Sequence, residues 1–195
     1  MKNKIITISR QYGSGGEFIG ERLSEDLGIP CYDKQLIMKA ASQSGIQEAF
    51  FEEAEKFGLD RYFSNNDMSI IKTEPLGDRI FLEQFKIIRN LAEEGPCIII
   101  GRGSNKILWD FKSVLHVFIY ADMSFRKNHI IETYKLPEQD VEKLIRQADR
   151  RRKTYLYEYT NQIWGEPQNY NICIDCGRIG IENTVRIICK LYLGE

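Results

Sequence analysis

Residues 5–37, IITISRQYGSGGEFIGERLSEDLGIPCYDKQLI, constrain the fold of this chain more than any other stretch. An apolar run (Ile5, Ile6, Ile8) stops at a loop holding Gly13, Gly15 and Gly16. The run does not alternate cleanly with polar residues, which is the pattern of a strand buried on both faces. A helix pattern follows over Gly16–Leu27, with Phe18, Ile19, Leu23 and Leu27 on one face and Glu21, Arg22, Glu25 and Asp26 on the other. Gly28 supplies its stop. A buried strand that opens through glycines onto a helix N-terminus gathers unpaired backbone N–H groups at the positive end of the helix dipole, and so makes an anion cradle.

Arg10–Glu17 falls in the frame of the phosphate-loop pattern G-x-x-x-x-G-K-[ST]. Gly15 matches, but Arg10 stands at the first glycine, Gly16 at the lysine and Glu17 at the hydroxyl residue. A second reading needs no ligand. Ser14-x-x-Glu17 fits a capping box directly ahead of a helix, a pairing worth about 1 kcal/mol.

Further along, strands and helices alternate. Ile29–Tyr32 reads as a short strand, with Asp33 as the N-cap of a helix through Ser42. Residues 45–75 have a weaker pattern and read as an inserted cap over the site. Leu76–Glu94 is a helix with Ile80, Phe81, Phe85, Ile88 and Leu91 on its apolar side, enough for a homo-oligomeric interface. Cys97–Ile100 and Val114–Ala121 are buried strands, and Met123–Tyr134 is a helix. Pro137 opens a charged helix to about Thr160, followed by a strand over Tyr170–Asp175 and a helix over Ile181–Leu193. The expectation is an α/β three-layer sandwich, with a five-stranded parallel sheet between helices, in one domain spanning 1–195. Ligands of such sheets sit beyond the carboxyl ends of the strands, where Arg10, Asp33, Arg102 and Asp122 all fall.

The 27 basic and 28 acidic side chains leave a net charge of -1, which argues against general nucleic-acid binding. No stretch reaches the ~20 apolar residues of a membrane span, and no secretory leader is evident. Five cysteines, an odd number in mostly apolar surroundings, fit a reduced, cytoplasmic protein. Cys173-x-x-Cys176 lacks the further ligands that a zinc site needs, and neither His116 nor His129 has a metal-like partner.

The order and spacing of several stretches resemble the P-loop nucleoside monophosphate kinases, and in particular the cytidylate kinase-like family. They are ITISRQYGSGGEFIGERLSEDLGIPCYDKQLI, CIIIGRGSNKIL, VLHVFIYADMSFRKNHI, DRRRKTYLYEYT with WGEPQNYNICID, and GIENTV. Within that family the chain is similar to a branch whose loop reads ISR-x-YGSGG. The resemblance implies ATP and Mg²⁺ as cofactors and transfer of a phosphoryl group to a nucleoside monophosphate, cytidylate first. Backbone N–H groups from Gly13 through Ser14, Gly15 and Gly16 to Glu17 would cradle the donor phosphates. Asp33 and Arg102 would meet the acceptor, and the run Arg146, Arg150, Arg151 and Arg152 would belong to a helical lid over about 137–160, with Arg146, Arg150 and Arg151 as its catalytic candidates. Each has a plainer alternative: an N-cap for Asp33, a surface arginine between glycines for Arg102, and a solvated charge run for the arginines. Tyr155, Tyr157 and Tyr159 alternate around a helix and read as lid packing rather than as a base-stacking platform. The implied partners are small-molecule nucleotides, with no membrane and no stable nucleic-acid partner.

Two departures from the family weaken the implied chemistry. The loop lysine is replaced by Gly16, and the strand before Gly101-Arg102 ends in Ile99-Ile100 where cytidylate kinases carry an aspartate. Losing a cation and a carboxylate should cost several kcal/mol of transition-state stabilisation. One reading has Arg10 and the lid arginines restore the charge while Glu17 holds Mg²⁺. The other is a nucleotide- or phosphate-binding protein on a kinase scaffold with little or no transfer.

Overall fold

A computed structural model describes residues 4–33 and 76–195. The cap expected over about 45–75 and the helix expected to run to Ser42 lie outside them. The described elements are β1 (Ile5–Arg10), α1 (Gly16–Leu27), β2 (Cys31–Tyr32), α2 (Leu76–Glu94), β3 (Cys97–Ile100), α3 (Ser104–Ile107), β4 (Val114–Tyr120), α4 (Met123–Tyr134), α5 (Glu138–Thr160), β5 (Ile172–Asp175), α6 (Cys176–Ile179) and α7 (Ile181–Leu193).

The five strands form one sheet in the order β2-β3-β1-β4-β5, and every pairing is parallel. Alternation along the strands sorts side chains to two covered faces. Ile6, Ile8, Ile98, Ile100, Val117 and Ile119 pack under α1 and α7 through Ile19, Leu23, Val185 and Ile188. On the other face Ile5, Cys97 and Ile99 meet Ile88 and Ala92 of α2, with Ile107 and Leu108 beside them. Burial on both sides explains why the strands read as continuous apolar runs, and the three-layer α/β sandwich is the architecture expected.

Three local details differ from the sequence reading. β2 is reduced to two residues, because Ile29 N–H still bonds back to Ser24 O at the end of α1 and Pro30 has no N–H to give. β5 begins at Ile172, because Pro167–Asn169 forms a 3₁₀ turn that Tyr170 N–H closes onto Pro167 O. The one-turn helices α3 and α6 were not expected, being too short to show a period.

The apolar side of α2 is partly used within the chain. Phe81 stacks on Tyr159 of α5, with centroids 4.5 Å apart, and also meets Tyr155 edge-on. Tyr155 and Tyr159, one turn apart, share this face, while Tyr157 points to solvent. No helix among the described residues is long and apolar enough to cross a membrane, and the five cysteines are free.

Candidate active site

The loop after β1 does not form the capping box that Ser14 and Glu17 permit. Gly15 is the N-cap of α1, in the left-handed region at φ 81°, and no side chain caps the helix. That turn aims Ser14 inward, where its hydroxyl lies 2.9 Å from Gln11 O and 3.2 Å from Ile119 O. Glu17 turns the other way and pairs with Arg10, Nη2 to Oε1 at 2.9 Å. The N–H groups of the first turn therefore keep their donor capacity at the positive end of the helix dipole.

Arg10, the last residue of β1, lays its side chain along this loop. A Cβ placed on Gly16 would come 2.7 Å from both Cβ and Cγ of Arg10, and one on Gly101 would strike its Nη1. Only 12% of the Arg10 side chain is exposed, and its Nε is buried with no hydrogen-bond partner. Burial pulls the guanidinium down from its ordinary value, Glu17 pulls it back up, and the nearby Arg102 adds to the depression.

Arg102 sits in a left-handed turn of three consecutive residues, Gly101 at φ 76°, Arg102 at 58° and Gly103 at 68°. A non-glycine side chain in that region is strained, and such strain collects at binding sites. Burial lowers the Arg102 guanidinium, while a hydrogen bond with Tyr155 and the charge of Asp33 support it. Asp33, just beyond β2, is within electrostatic reach of both Arg10 and Arg102. The Tyr155 hydroxyl also donates to Gln84 Oε1 at 2.8 Å, and burial pushes its phenol up to about 12. Gln84 is fully buried on α2, and its Nε2 lacks a partner.

Helix α5 reaches the loop through two residues. Asp149 Oδ1 accepts the Tyr12 N–H at 2.8 Å, and its Oδ2 holds Arg126 of α4. Arg126 in turn donates to Tyr12 O at 3.3 Å. Arg152 Nη1 donates to Arg10 O at 2.8 Å, and its guanidinium lies 5.5 Å from the Tyr12 ring centroid. Burial, and then the charge of Arg10, push the Arg152 guanidinium down to about 9.

The other arginines of the run sit differently. Arg146 and Arg150 line a shallow groove on the outer face of α5, and Arg146 pairs there with Glu142 at 2.7 Å. Arg151 is exposed, with its charge reaching Tyr12. The structure thus brings together Arg10, Gly13, Ser14, Gly15, Gly16, Glu17, Asp33 and Arg102, and leaves Arg146 and Arg150 pointing away. Sequence reasoning took Arg152 as one of the four arginines of the lid run and did not set it above Arg146, Arg150 and Arg151, although the signal that does so was present. Val141, Ile145, Ala148 and Leu156 form the buried stripe of α5, and position 152 lies on that stripe. Asp122 also serves locally, capping α4 by accepting Phe125 N–H at 2.8 Å.

The residues fit a polyphosphate. Helix N–H groups without a side-chain cap face the loop, and the half-buried guanidiniums of Arg10, Arg102 and Arg152 stand against Glu17 and Asp33, with Asp149 taken up by Arg126. Among the described residues Glu17 is the carboxylate at the loop for Mg²⁺, and no group of three or more His, Cys, Asp or Glu gathers there. A single carboxylate suffices when phosphate oxygens and water complete the octahedron. No carboxylate ends β3, where Ile99 and Ile100 are buried.

In sequence, the cytidylate kinase-like family model matches residues 5–178. No curated protein matches this chain. Among solved structures, an uncharacterized protein from Eubacterium ventriosum is 26% identical, covering 96% of this chain and 97% of that one with a TM-score of 0.75. A gluconokinase from Sinorhizobium meliloti is 14% identical over 94% and 88% of the two chains, with a TM-score of 0.54. A shikimate kinase from Bacteroides thetaiotaomicron is 14% identical over 96% of each, with a TM-score of 0.50. These last two share the fold, a parallel sheet with helices on both sides. With all five strands of the described sheet inside the matched span, the chain belongs to the cytidylate kinase-like family.

Proposed function

We propose that this protein is a nucleotide kinase that moves the γ-phosphoryl group of ATP to a nucleoside monophosphate, with cytidylate as the first candidate acceptor. One observation carries the reading: Arg10, Arg102 and Arg152 are held in poorly solvated positions around a helix N-terminus that no side chain among the described residues caps. Collecting like charges out of water is costly, and the cost is recovered when a polyanion binds.

The residues divide by side. The N–H groups from Gly13 to Glu17 hold the donor phosphates, with Ser14 fixing the loop from beneath. Arg10 and Arg152 neutralise charge there, and Glu17 holds Mg²⁺ with the phosphate oxygens. When bound, that metal supplies charge neutralisation and orientation of the phosphates. Arg102 and Asp33 orient the acceptor, with Tyr155 fixing the Arg102 guanidinium. Phosphoryl transfer needs little more than such positioning. Residues 137–160 act as the lid, with Arg152 on the loop, Arg151 exposed beside it and Arg146 and Arg150 farther out on the same helix.

The ion pair between Glu17 and Arg10 favours a second reading, a nucleotide-binding protein without turnover. It ties up both the cation and the carboxylate that transfer would use. A coupled ADP-release assay over CMP, dCMP, UMP, AMP and GMP, run beside calorimetric ATP binding, separates the two. Acceptor-dependent release supports the kinase. ATP binding with no release from any acceptor assigns the second reading.

A further inference from the structure

We infer that the two departures of the glycine loop from the phosphate-loop pattern are one exchange: Arg10 supplies the cation that the missing lysine would have carried, and Gly16 is glycine because the stem of Arg10 occupies its side-chain space. The pattern calls for glycine at its first position and lysine at its seventh. Here the first is Arg10 and the seventh is Gly16. This rests on the kinase reading and deepens it by saying how the donor half of the site keeps its charge.

The geometry is specific. A Cβ at position 16 would meet Arg10 Cβ and Cγ at 2.7 Å, which is the root of the side chain and not its mobile tip. That root is fixed, because Arg10 is paired in register with Ile119 of β4. Rotating the guanidinium away would not clear the clash. The side chain then runs on past Gly101, where a Cβ would again strike it, and ends on Glu17, the residue that follows Gly16 in the first turn of α1. Its charge thus arrives beside the helix N-terminus from the strand side instead of from the helix side. Either position can carry the long cation, and the other must then be glycine.

The test uses four full-length proteins: wild type, Arg10→Gly, Gly16→Lys, and the double variant Arg10→Gly/Gly16→Lys, which restores both motif positions. Titration calorimetry measures affinity for ATP and for inorganic tripolyphosphate. Arg10→Gly is expected to bind both at least about tenfold more weakly, the worth of one charge-assisted hydrogen bond. Gly16→Lys is expected to melt at a lower temperature and bind weakly, and the double variant to recover to within about threefold of wild type. Arg10→Gln, which keeps the stem and removes the charge, supplies the charge comparison if Arg10→Gly does not fold. Gly16→Ala should lower the melting temperature in the wild-type background and not in Arg10→Gly, a readout that needs no ligand. A double variant no better than Arg10→Gly, or undiminished affinity in both Arg10→Gly and Arg10→Gln, overturns the exchange. If wild type itself binds neither ATP nor tripolyphosphate, the kinase reading fails, and the cation role falls with it.

Discussion

Asp149 Oδ1 accepts the backbone N–H of Tyr12 at 2.8 Å, so α5 is fastened directly to the main chain of the glycine loop. The other oxygen of Asp149 neutralises the buried guanidinium of Arg126, which returns a hydrogen bond to Tyr12 O. One carboxylate therefore sets the loop, the charge balance beneath it and the docking of the helix.

Replacing Asp149 by alanine strands a buried cation and a backbone donor together. Unpairing a buried ion pair costs about 3–5 kcal/mol. For a chain of this size that lowers the melting temperature by roughly 10 °C. Calorimetry on Asp149→Ala should show it, and Asp149→Ala/Arg126→Met should recover much of the loss. A fall below about 3 °C would mean that the pair does not carry this weight.

Arg152 should be read through anion binding. A guanidinium keeps its proton at any ordinary pH, so the depression represents a cation held out of water by burial, with repulsion from Arg10 added to it. Tripolyphosphate at a hundred times its Kd should stabilise wild type by about 2.7 kcal/mol, seen as a melting shift of several degrees. Arg152→Met should lose more than half of that shift. Lys143→Met, on the outer groove, removes a charge of the same sign and should retain it in full.

Tyr155→Phe removes the hydroxyl shared by Gln84 and Arg102. Leaving the fully buried Gln84 carbonyl without its donor should cost about 1–3 kcal/mol by urea denaturation. The kinetic signature is more specific. KM for the acceptor monophosphate should rise several-fold while the affinity for ATP stays as in wild type. Equal losses for both substrates would count against Tyr155 as a support for Arg102.

His116 gives the fold an acid limit. It is buried on β4, its Nδ1 lies 2.8 Å from Thr7 Oγ1, and burial holds it down to about 4. The folded protein therefore keeps this ring neutral between about pH 6.5 and 4, while the unfolded chain takes up a proton. Stability from this group is complete above the unfolded value and declines as the pH falls through that window, by up to about 3 kcal/mol. His116→Gln should flatten that part of the curve in denaturant titrations from pH 7.5 to 4.5. An unchanged slope would assign the acid sensitivity elsewhere.

The architecture was legible because burial on both faces leaves a strong mark. Cys97–Ile100 and Val114–Tyr120 are almost uninterrupted apolar runs, and α1, α2, α4 and α7 begin and end where their periods do. The site was legible as a place but not as an arrangement. Ser14-x-x-Glu17 has the composition of a capping box, yet the left-handed turn at Gly15 directs the two side chains apart. Arg152 was hidden among four arginines, and only the helical phase relative to the loop distinguishes it from Arg146 and Arg150. Asp149, 137 residues from Tyr12, had no local signal at all.

The strand order has a consequence for how the chain comes into being. β1 is synthesised first and yet lies in the middle of the sheet, with Ile5 opposite both Cys97 and Val114. Both of its edges stay open until residues 97–120 have emerged, so its apolar ribbon waits without those neighbours while residues 11–96 are made. Such non-local pairing slows folding and exposes strand edges to other nascent chains. The glycine loop after β1 is thus made early and takes its final shape late.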